Sequence, residues 1–392
     1  MGRKKRICVS TFVSSEYGRR LLAGIGDSIT HHDDWSLQFV RSNELRPGSL
    51  REFDGFICDV RTRKMANALL RLGRPVVDLL HLDDSAIRFP SVRTDHQSIA
   101  TLAADHFIDR CFTHFAYCGF VGVGFSDCRR ESFSAYLHAH GHDVHCYAPR
   151  HIRHQFKEII SDAFTYTPKD SELMPEWIRT LPTPIGIFCC NDERAASVLT
   201  ACRKLRLRVP DEIAILGADN DPVICQLAAP QLSSIDPNAY EIGCEAVRLL
   251  DDLFANRVAR HSNEVRMVPP VGIFSRASSE TYPVEPKWLS DALCYIRRNA
   301  TRGISSANVF EYLGYSHTLV QRTFRQKLGT TVQQEIAKNR LAEARRLVSL
   351  GQHPISEIAK RCGFATAEYF CHCYTAKFGK PPSAFLGTKN HP

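Results

Sequence analysis

Apolar positions follow two different rhythms along this chain of 392 residues. Up to about residue 276 they come as short β-rich runs separated by longer stretches with helical spacing. Ile7–Phe12, Gly55–Val60, Pro75–Asp78, His114–Gly119, Ile185–Cys190 and Ile213–Gly217 read as strands. Tyr17–Ile29, Gln97–Arg110, Arg130–His140, Asp192–Leu205 and Tyr240–Phe254 read as helices. Strands alternating with helices predict an α/β doubly wound arrangement with parallel sheets. The length predicts two lobes, with the chain crossing between them near residues 93–98 and 230–236.

The last hundred residues keep only the helical rhythm. Ile355, Ile358, Ala359 and Cys362 recur at i, i+3, i+4 and i+7 beside Pro354, and Gly363 follows as a residue that tolerates positive φ. Phe370, Cys373, Tyr374 and Phe378 mark the buried stripe of the next helix, which Gly379, Pro381 and Pro382 end. Its other face carries Thr366, Ala367, Glu368, His372 and Lys377. A helix-turn-helix with a groove-reading second helix is the expectation. About fifty residues upstream, Ser305–Gly329 repeats the layout. Val309 and Leu313 form its first stripe, Ser316 its cap, and Val320, Phe324 and Leu328 its second stripe. His317, Thr318, Gln321, Arg322 and Arg325 are left outward. Between the copies, Thr331 and Gln334 form a capping box that opens a long helix lined by Ala337, Leu341, Ala344 and Val348. A rod of this kind sets two readers in successive major grooves, about 34 Å apart.

Charge agrees with that division. From Lys287 onward there are 16 Lys and Arg against 6 Asp and Glu, a net of +10. The whole chain is +8, so residues 1–286 are close to neutral at −2. Phosphate binding requires such a local cationic excess, whereas solubility alone does not.

Residues 287–386 resemble the AraC/XylS regulators. ISEIAKRCGF, the following Tyr369-Phe370 and KFGKPP carry the likeness in the second unit; Ser316, Val320-Gln321-Arg322, Phe324 and Arg340-Leu341 carry it in the first. The resemblance implies binding to double-stranded operator DNA, and a homodimer that engages RNA polymerase. One position departs: His372 stands where the family usually has Arg or Lys, which puts base or backbone contact by the second unit in question.

In doubly wound sheets ligands sit beyond the carboxyl ends of the strands. Asp59 ends one strand, Asn191 and Asp192 follow a second, and Asp219 and Asn220 a third. Carboxylates and amides hold sugar hydroxyls in fixed geometry, and a guanidinium is a forked donor. Arg129 or Arg130 is placed to supply it, and Tyr17, Phe125 or Trp35 to cover an apolar sugar face. Asp192 is equally open to a helix-capping role, Asp219 to an Asx turn, and Arg129 to a solvated helix face. Convergence of several strand ends on one crevice favours a ligand site.

CCNDERAASVL, PDEIAILGADND and LSSIDPNAYEIGCEAVRLL make residues 6–276 similar to the effector domain of the LacI/PurR regulators, which is akin to periplasmic sugar-binding proteins. The resemblance implies ligand contacts by Asn191, Asp192, Asp219 and Arg129. That family's N-terminal DNA-binding headpiece has no counterpart, and DNA recognition stands at the other end. Joined in this order, the two resemblances imply an activator whose effector is D-xylose or a related sugar, with no cofactor and no catalysis. The expected fold is a two-lobed periplasmic-binding-protein-like α/β domain over 1–276, a semi-rigid linker over 277–289, and an all-α domain with two helix-turn-helix units over 290–392. Another sugar or a purine as effector, a carbohydrate enzyme with a DNA-binding tail, and a partner-binding lobe without ligand are the competing readings.

Composition changes little. No apolar run reaches the length of a membrane span, and Met1–Arg6 lacks the apolar region of a secretion signal. Fifteen cysteines without framework spacing suit a reducing cytoplasm. Cys362, Cys371, His372 and Cys373 invite a zinc reading, but 371 and 373 face different sides of one helix, so thiols in a packed bundle are expected. No nucleophile–base–orienter set stands out.

Overall fold

A computed structural model of the chain describes residues 3–11, 13–41, 48–80, 89–148 and 170–386. The predicted strand end at Phe12 lies outside the described residues. Two six-stranded sheets form the first part. In one the order is β2 (Trp35–Phe39), β1 (Lys5–Ser10), β3 (Gly55–Cys58), β4 (Val76–Asp78), β5 (Ser91–Thr94) and β11 (Val265–Val268), with all neighbours parallel. In the other it is β7 (Val144–Tyr147), β6 (Phe115–Cys118), β8 (Ile185–Cys189), β9 (Ile213–Ala218), β10 (Ser233–Asp236) and β12 (Gly272–Phe274), where only β12 runs antiparallel.

The interior strands are the ones the sequence reveals. Every residue of β3, β6, β8 and β9 is buried, because helices cover both faces, and such strands read as unbroken apolar runs. The unforeseen strands are the outer β2, β7, β11 and β12, and the short β5 and β10, whose Ser and Thr side chains dilute the apolar signal. The helix predicted from Arg130 begins six residues earlier, as α4 (Gly124–Ala139).

The chain crosses between lobes three times. It passes at residue 95, from β5 into α3 (His96–Ile108), and at 237–238, from β10 into α8 (Ala239–Phe254). The third crossing, at 269–271 between β11 and β12, was not anticipated. The predicted crossing at 230–236 is displaced because 233–236 is itself a strand of the second sheet. On its return, α8 lies against α1 (Glu16–Ile29) so closely that a methyl on Gly243 would stand 2.1 Å from the Leu21 carbonyl oxygen.

The reader comprises α9 (Lys287–Asn299), α10 (Ser306–Leu313), α11 (His317–Leu328), α12 (Val332–Leu350), α13 (Ile355–Arg361), α14 (Ala367–Phe378) and α15 (Ser383–Leu386). Ser316 caps α11 and the Thr331–Gln334 box opens α12, as the sequence signals, while Thr366, expected on the outward face, is the N-cap of α14. The long α12 serves two cores. Val332 and Ile336 pack with Leu289, Val309 and Phe324, while Leu341, Ala344 and Val348 pack with Ile358, Phe370 and Tyr374. At its waist Arg340 donates to the carbonyls of Ala300 (2.9 Å) and Ile304 (2.7 Å) and lies over Phe364. Gly363 seals the joint: φ is +75°, and a Cβ would meet the Ala300 and Thr301 carbonyl oxygens at 2.9 Å. The two helix-turn-helix units are thus pinned to each other by backbone contacts, not merely spaced by a rod.

Candidate functional site

The carboxyl ends of both sheets face one crevice. From the first lobe, β1 leads to Thr11, β3 to Asp59 and β5 to Thr94. Thr11 donates to Asp59 Oδ1 at 3.3 Å, and Arg61 holds Oδ2 at 3.0 Å. Tyr17, in the first turn of α1, shares a 2.9 Å hydrogen bond with Thr94. From the second lobe comes Arg129, only 2 % exposed. Its Nε donates to His96 Nδ1 at 3.3 Å, its Nη1 donates to the Cys190 carbonyl, and Nη1 stands 3.9 Å from Asp219 Oδ1. The guanidinium carbon lies 5.4 Å from the centre of the Phe125 ring.

Electrostatics joins the two sides. Burial pushes the Tyr17 hydroxyl up to about 12; Asp219 of one lobe and Asp59 of the other add to the rise, and Arg129 opposes it. Burial holds the Asp219 carboxyl well above the usual carboxylate range, with Arg129 pulling against it. Burial, reinforced by the Arg129 charge, takes His96 down to about 3, so its ring is neutral and its Nδ1 accepts. The crevice therefore offers two carboxyls, a forked cation, a phenol and an imidazole, a set suited to a small neutral polyol.

Asp59 gives a pH dependence with a definite sign. Burial raises it to about 6 against the charge of Arg61. Below the ordinary carboxylate range its proton adds to the stability of the empty protein, and that contribution is lost as pH rises through about 6. A sugar hydroxyl donating to Asp59 would favour the charged form, and binding would then release a proton. Effector affinity is expected to rise about tenfold from pH 5 to pH 7.5, and the effector-induced gain in Tm to grow with it. Calorimetry at the two pH values checks this, and a flat profile removes Asp59 from the contacts.

Other predicted residues are placed differently. Asn191 caps α6 (Asp192–Lys204) by accepting from the Arg194 amide at 3.0 Å, and its amide group donates to Glu193. Asp192 is wholly buried behind the crevice. It accepts from Ser234 Oγ at 2.6 Å, the Asp221 amide at 2.8 Å and Cys225 Sγ at 3.5 Å, and burial raises it to about 7. It props the Asp219 turn from beneath. That turn is strained, with φ of 108° at Asp219 and 50° at Asn220. Asn220 turns from the crevice, its Oδ1 accepting from Arg276 at 2.8 Å. Trp35 belongs to the first-lobe core and stacks on His32, so it covers no ligand. Arg130 pairs with Asp127 and Glu131 on the surface.

The sequence reading missed His96, Thr94 and Arg61. The first two flank Asp95, the N-cap of α3, and their signal was hidden because β5 did not read as a strand. At the mouth, Arg19 of α1 reaches Asp221 at 3.7 Å and Arg20 reaches Asp236, so opposite charges face each other across the lobes.

On the reader, His317, Thr318, Arg322 and Arg325 of α11 are exposed, whereas Gln321 is half-buried with its amide oxygen against the protein. On α14, Glu368, His372 and Lys377 are exposed, Ala367 is half-buried, and the Thr366 hydroxyl accepts from the Tyr369 amide at 3.2 Å. Tyr369 is 52 % exposed and, three residues before His372, borders the face that carries Glu368 and His372.

Comparison with known proteins matches both parts. Residues 104–279 match the periplasmic binding protein-like domain family, and residues 309–388 a helix-turn-helix domain family. The chain is 24 % identical over 384 residues to the xylose operon regulatory protein of Haemophilus influenzae, covering 94 % of this chain and 95 % of that protein. To the protein of that name from Escherichia coli K12 it is 23 % identical over 396 residues, covering 98 % and 97 %. Among solved structures, the xylose-binding transcription activator XylR superposes with a TM-score of 0.60 at 22 % identity, covering 99 % of both chains. A LacI family transcriptional regulator from Enterococcus faecium with bound ribose gives 0.56 at 20 % identity, covering 72 % of this chain and 100 % of that one.

A two-sheet periplasmic-binding-protein-like domain joined to a pair of helix-turn-helix units defines a helix-turn-helix transcription regulator with an effector-type domain. Within that class, the similarity that runs the full length of the chain is to the xylose operon regulatory proteins.

Proposed function

We propose that the chain binds D-xylose between its lobes and, as a homodimer, activates genes for xylose use by engaging operator DNA and RNA polymerase in the cytoplasm. The observation that carries this reading is the convergence of Tyr17, Asp59, Arg129 and Asp219 from both lobes on one crevice. Asp59 and Asp219 accept from sugar hydroxyls, Arg129 donates to sugar oxygens, and Tyr17 covers the apolar face. Asn191 adds its amide, while Asp192 and Asn220 act by holding the Asp219 turn. Operator contacts come from His317, Thr318, Gln321, Arg322 and Arg325 in the first unit. Thr366, Ala367, Glu368, His372 and Lys377 supply them in the second. Sensing occupies residues 1–276 and reading 290–392. Neither role includes catalysis. Among the described residues no helix is long and apolar enough to cross a membrane.

Calorimetry of the full chain with D-xylose, D-ribose, L-arabinose, D-glucose, adenine and guanine tests the effector. Saturable binding of D-xylose ahead of the other sugars is expected. Binding of a purine alone replaces the effector class, and binding of none leaves the crevice without its assigned role.

A further inference from the structure

Between the crevice and the reader runs a column of buried and half-buried polar groups. It starts at Asn220, next to Asp219 in the strained turn. Arg276 donates to Asn220 Oδ1 from Nη2 and to the Leu232 carbonyl from Nη1, each at 2.8 Å. The Arg276 backbone is locked to Ser233, whose Oγ accepts from its amide (2.8 Å) and donates to its carbonyl (2.9 Å). Ser279 Oγ lies 2.8 Å from Ser233 Oγ and 2.8 Å from His106 Nε2. The Ser233 proton is committed to the Arg276 carbonyl, so Ser279 donates to Ser233 and His106 Nε2–H donates to Ser279. Donors then point one way along the column, from His106 to Arg276, with every hydroxyl proton used.

The far end touches the reader. Arg110, 2 % exposed, donates from Nε to the Ser279 carbonyl at 3.0 Å and from Nη1 to the His106 carbonyl at 2.8 Å. Its Nη2 lies 3.3 Å from Ser275 Oγ, which also accepts from Arg297 of α9 at 2.6 Å. The Arg110 guanidinium lies over Tyr282, whose ring sits in the core formed by Leu289, Val309 and Phe324. The segment expected to be a tether is therefore packed: Ser278 and Ser279 are fully buried, and Ser278 Oγ donates to the Ile215 carbonyl in β9 at 2.7 Å. The Lys338–Asp109 pair (2.8 Å) and Arg346 over Phe274 add a second seam, but both side chains of the ion pair are exposed to solvent and add little.

We propose that Arg276 is a positioning residue that transmits the state of the Asp219–Asn220 turn to the helix-turn-helix domain through the Ser233–Ser279–Arg110 column. The proposal rests on the effector reading above. A strained turn has two discrete arrangements available. Effector contact with Asp219 biases the turn, Asn220 carries the bias to Arg276, and the packed segment passes it to Arg297 and Tyr282. Close packing along the way leaves no slack to absorb the movement.

Two full-length variants open the same step from opposite sides: Arg276→Met, which keeps length and loses the donors, and Asn220→Gly, which loses the acceptor and relaxes the positive φ. Amide hydrogen exchange over 277–299 and 332–346 is expected to accelerate about fivefold or more in both, with β1–β4 unchanged. With D-xylose as probe, Arg276→Met should keep its sugar Kd within about threefold while the sugar-dependent change in DNA affinity falls at least about fivefold. Arg276→Lys should recover part of the response. Acceleration confined to 213–236, or a full sugar response in both variants, overturns the proposal. A wild type that ignores D-xylose while the exchange pattern spreads as described removes the effector assignment and leaves the coupling standing.

Discussion

Arg129→Met is expected to abolish effector binding, raising the Kd for D-xylose at least about 100-fold. Arg129 is, among the described residues, the buried guanidinium of the crevice, anchored by His96 and the Cys190 carbonyl and set 3.9 Å from Asp219. Truncation removes the proposed donor for sugar oxygens. It also removes the cation that holds down the Asp219 carboxyl, which burial already raises. Breaking a buried pair from one side costs about 3–5 kcal/mol, and Asp219 relieves part of that cost by taking up a proton. A protonated Asp219 is a poorer acceptor for sugar hydroxyls, so affinity suffers twice. Calorimetry measures the loss, and the far-ultraviolet dichroism of the variant checks that it folds. A change within about threefold would remove Arg129 from the site.

The second large effect belongs to the reader. The pair Arg322→Ala and Arg325→Ala is expected to weaken operator binding about 100-fold at 0.1 M salt and to flatten the slope of log affinity against log salt by about 2. Both side chains project from the exposed face of α11. The corresponding face of α14 carries Glu368 and His372 beside Lys377. The two second helices are therefore electrostatically unequal, and phosphate contacts are expected to fall mainly to α11. Glu368→Gln should strengthen binding modestly by removing a charge that repels phosphate. Fluorescence anisotropy over a salt series reads all three numbers. An unchanged salt slope in the double variant would show that α11 lies away from the backbone.

Legibility in the sequence followed burial. Strands covered on both faces, such as β3, β8 and β9, announce themselves as apolar runs. The outer strands do not, and with β5 unread His96 went unnoticed, although the crossing beside it falls at residue 95, within the predicted 93–98. The reader was clearer still, because caps and glycines at Ser316, Thr331, Gly363 and Gly379 are local signals that need no partner elsewhere. In the crevice, residue type located the strand ends but not the direction of each side chain. Asn191, Asp192 and Asn220 lie within one or two residues of the surface, yet their polar groups cap α6, support the Asp219 turn and bind Arg276 respectively. The column from Asn220 to Arg297 was beyond sequence reasoning, since its members come from five separate segments.

The central claim is that a sugar held between two lobes sets the grip of a distant reader on DNA, and reciprocity makes it measurable from either side. The most direct measurement is the equilibrium affinity of the full chain for a duplex it selects from its own genome, with and without saturating D-xylose. A change of at least about tenfold is expected, matched by an equal change in sugar affinity when the duplex is present. Equal DNA affinity in both conditions, for a chain that binds the sugar, would contradict it.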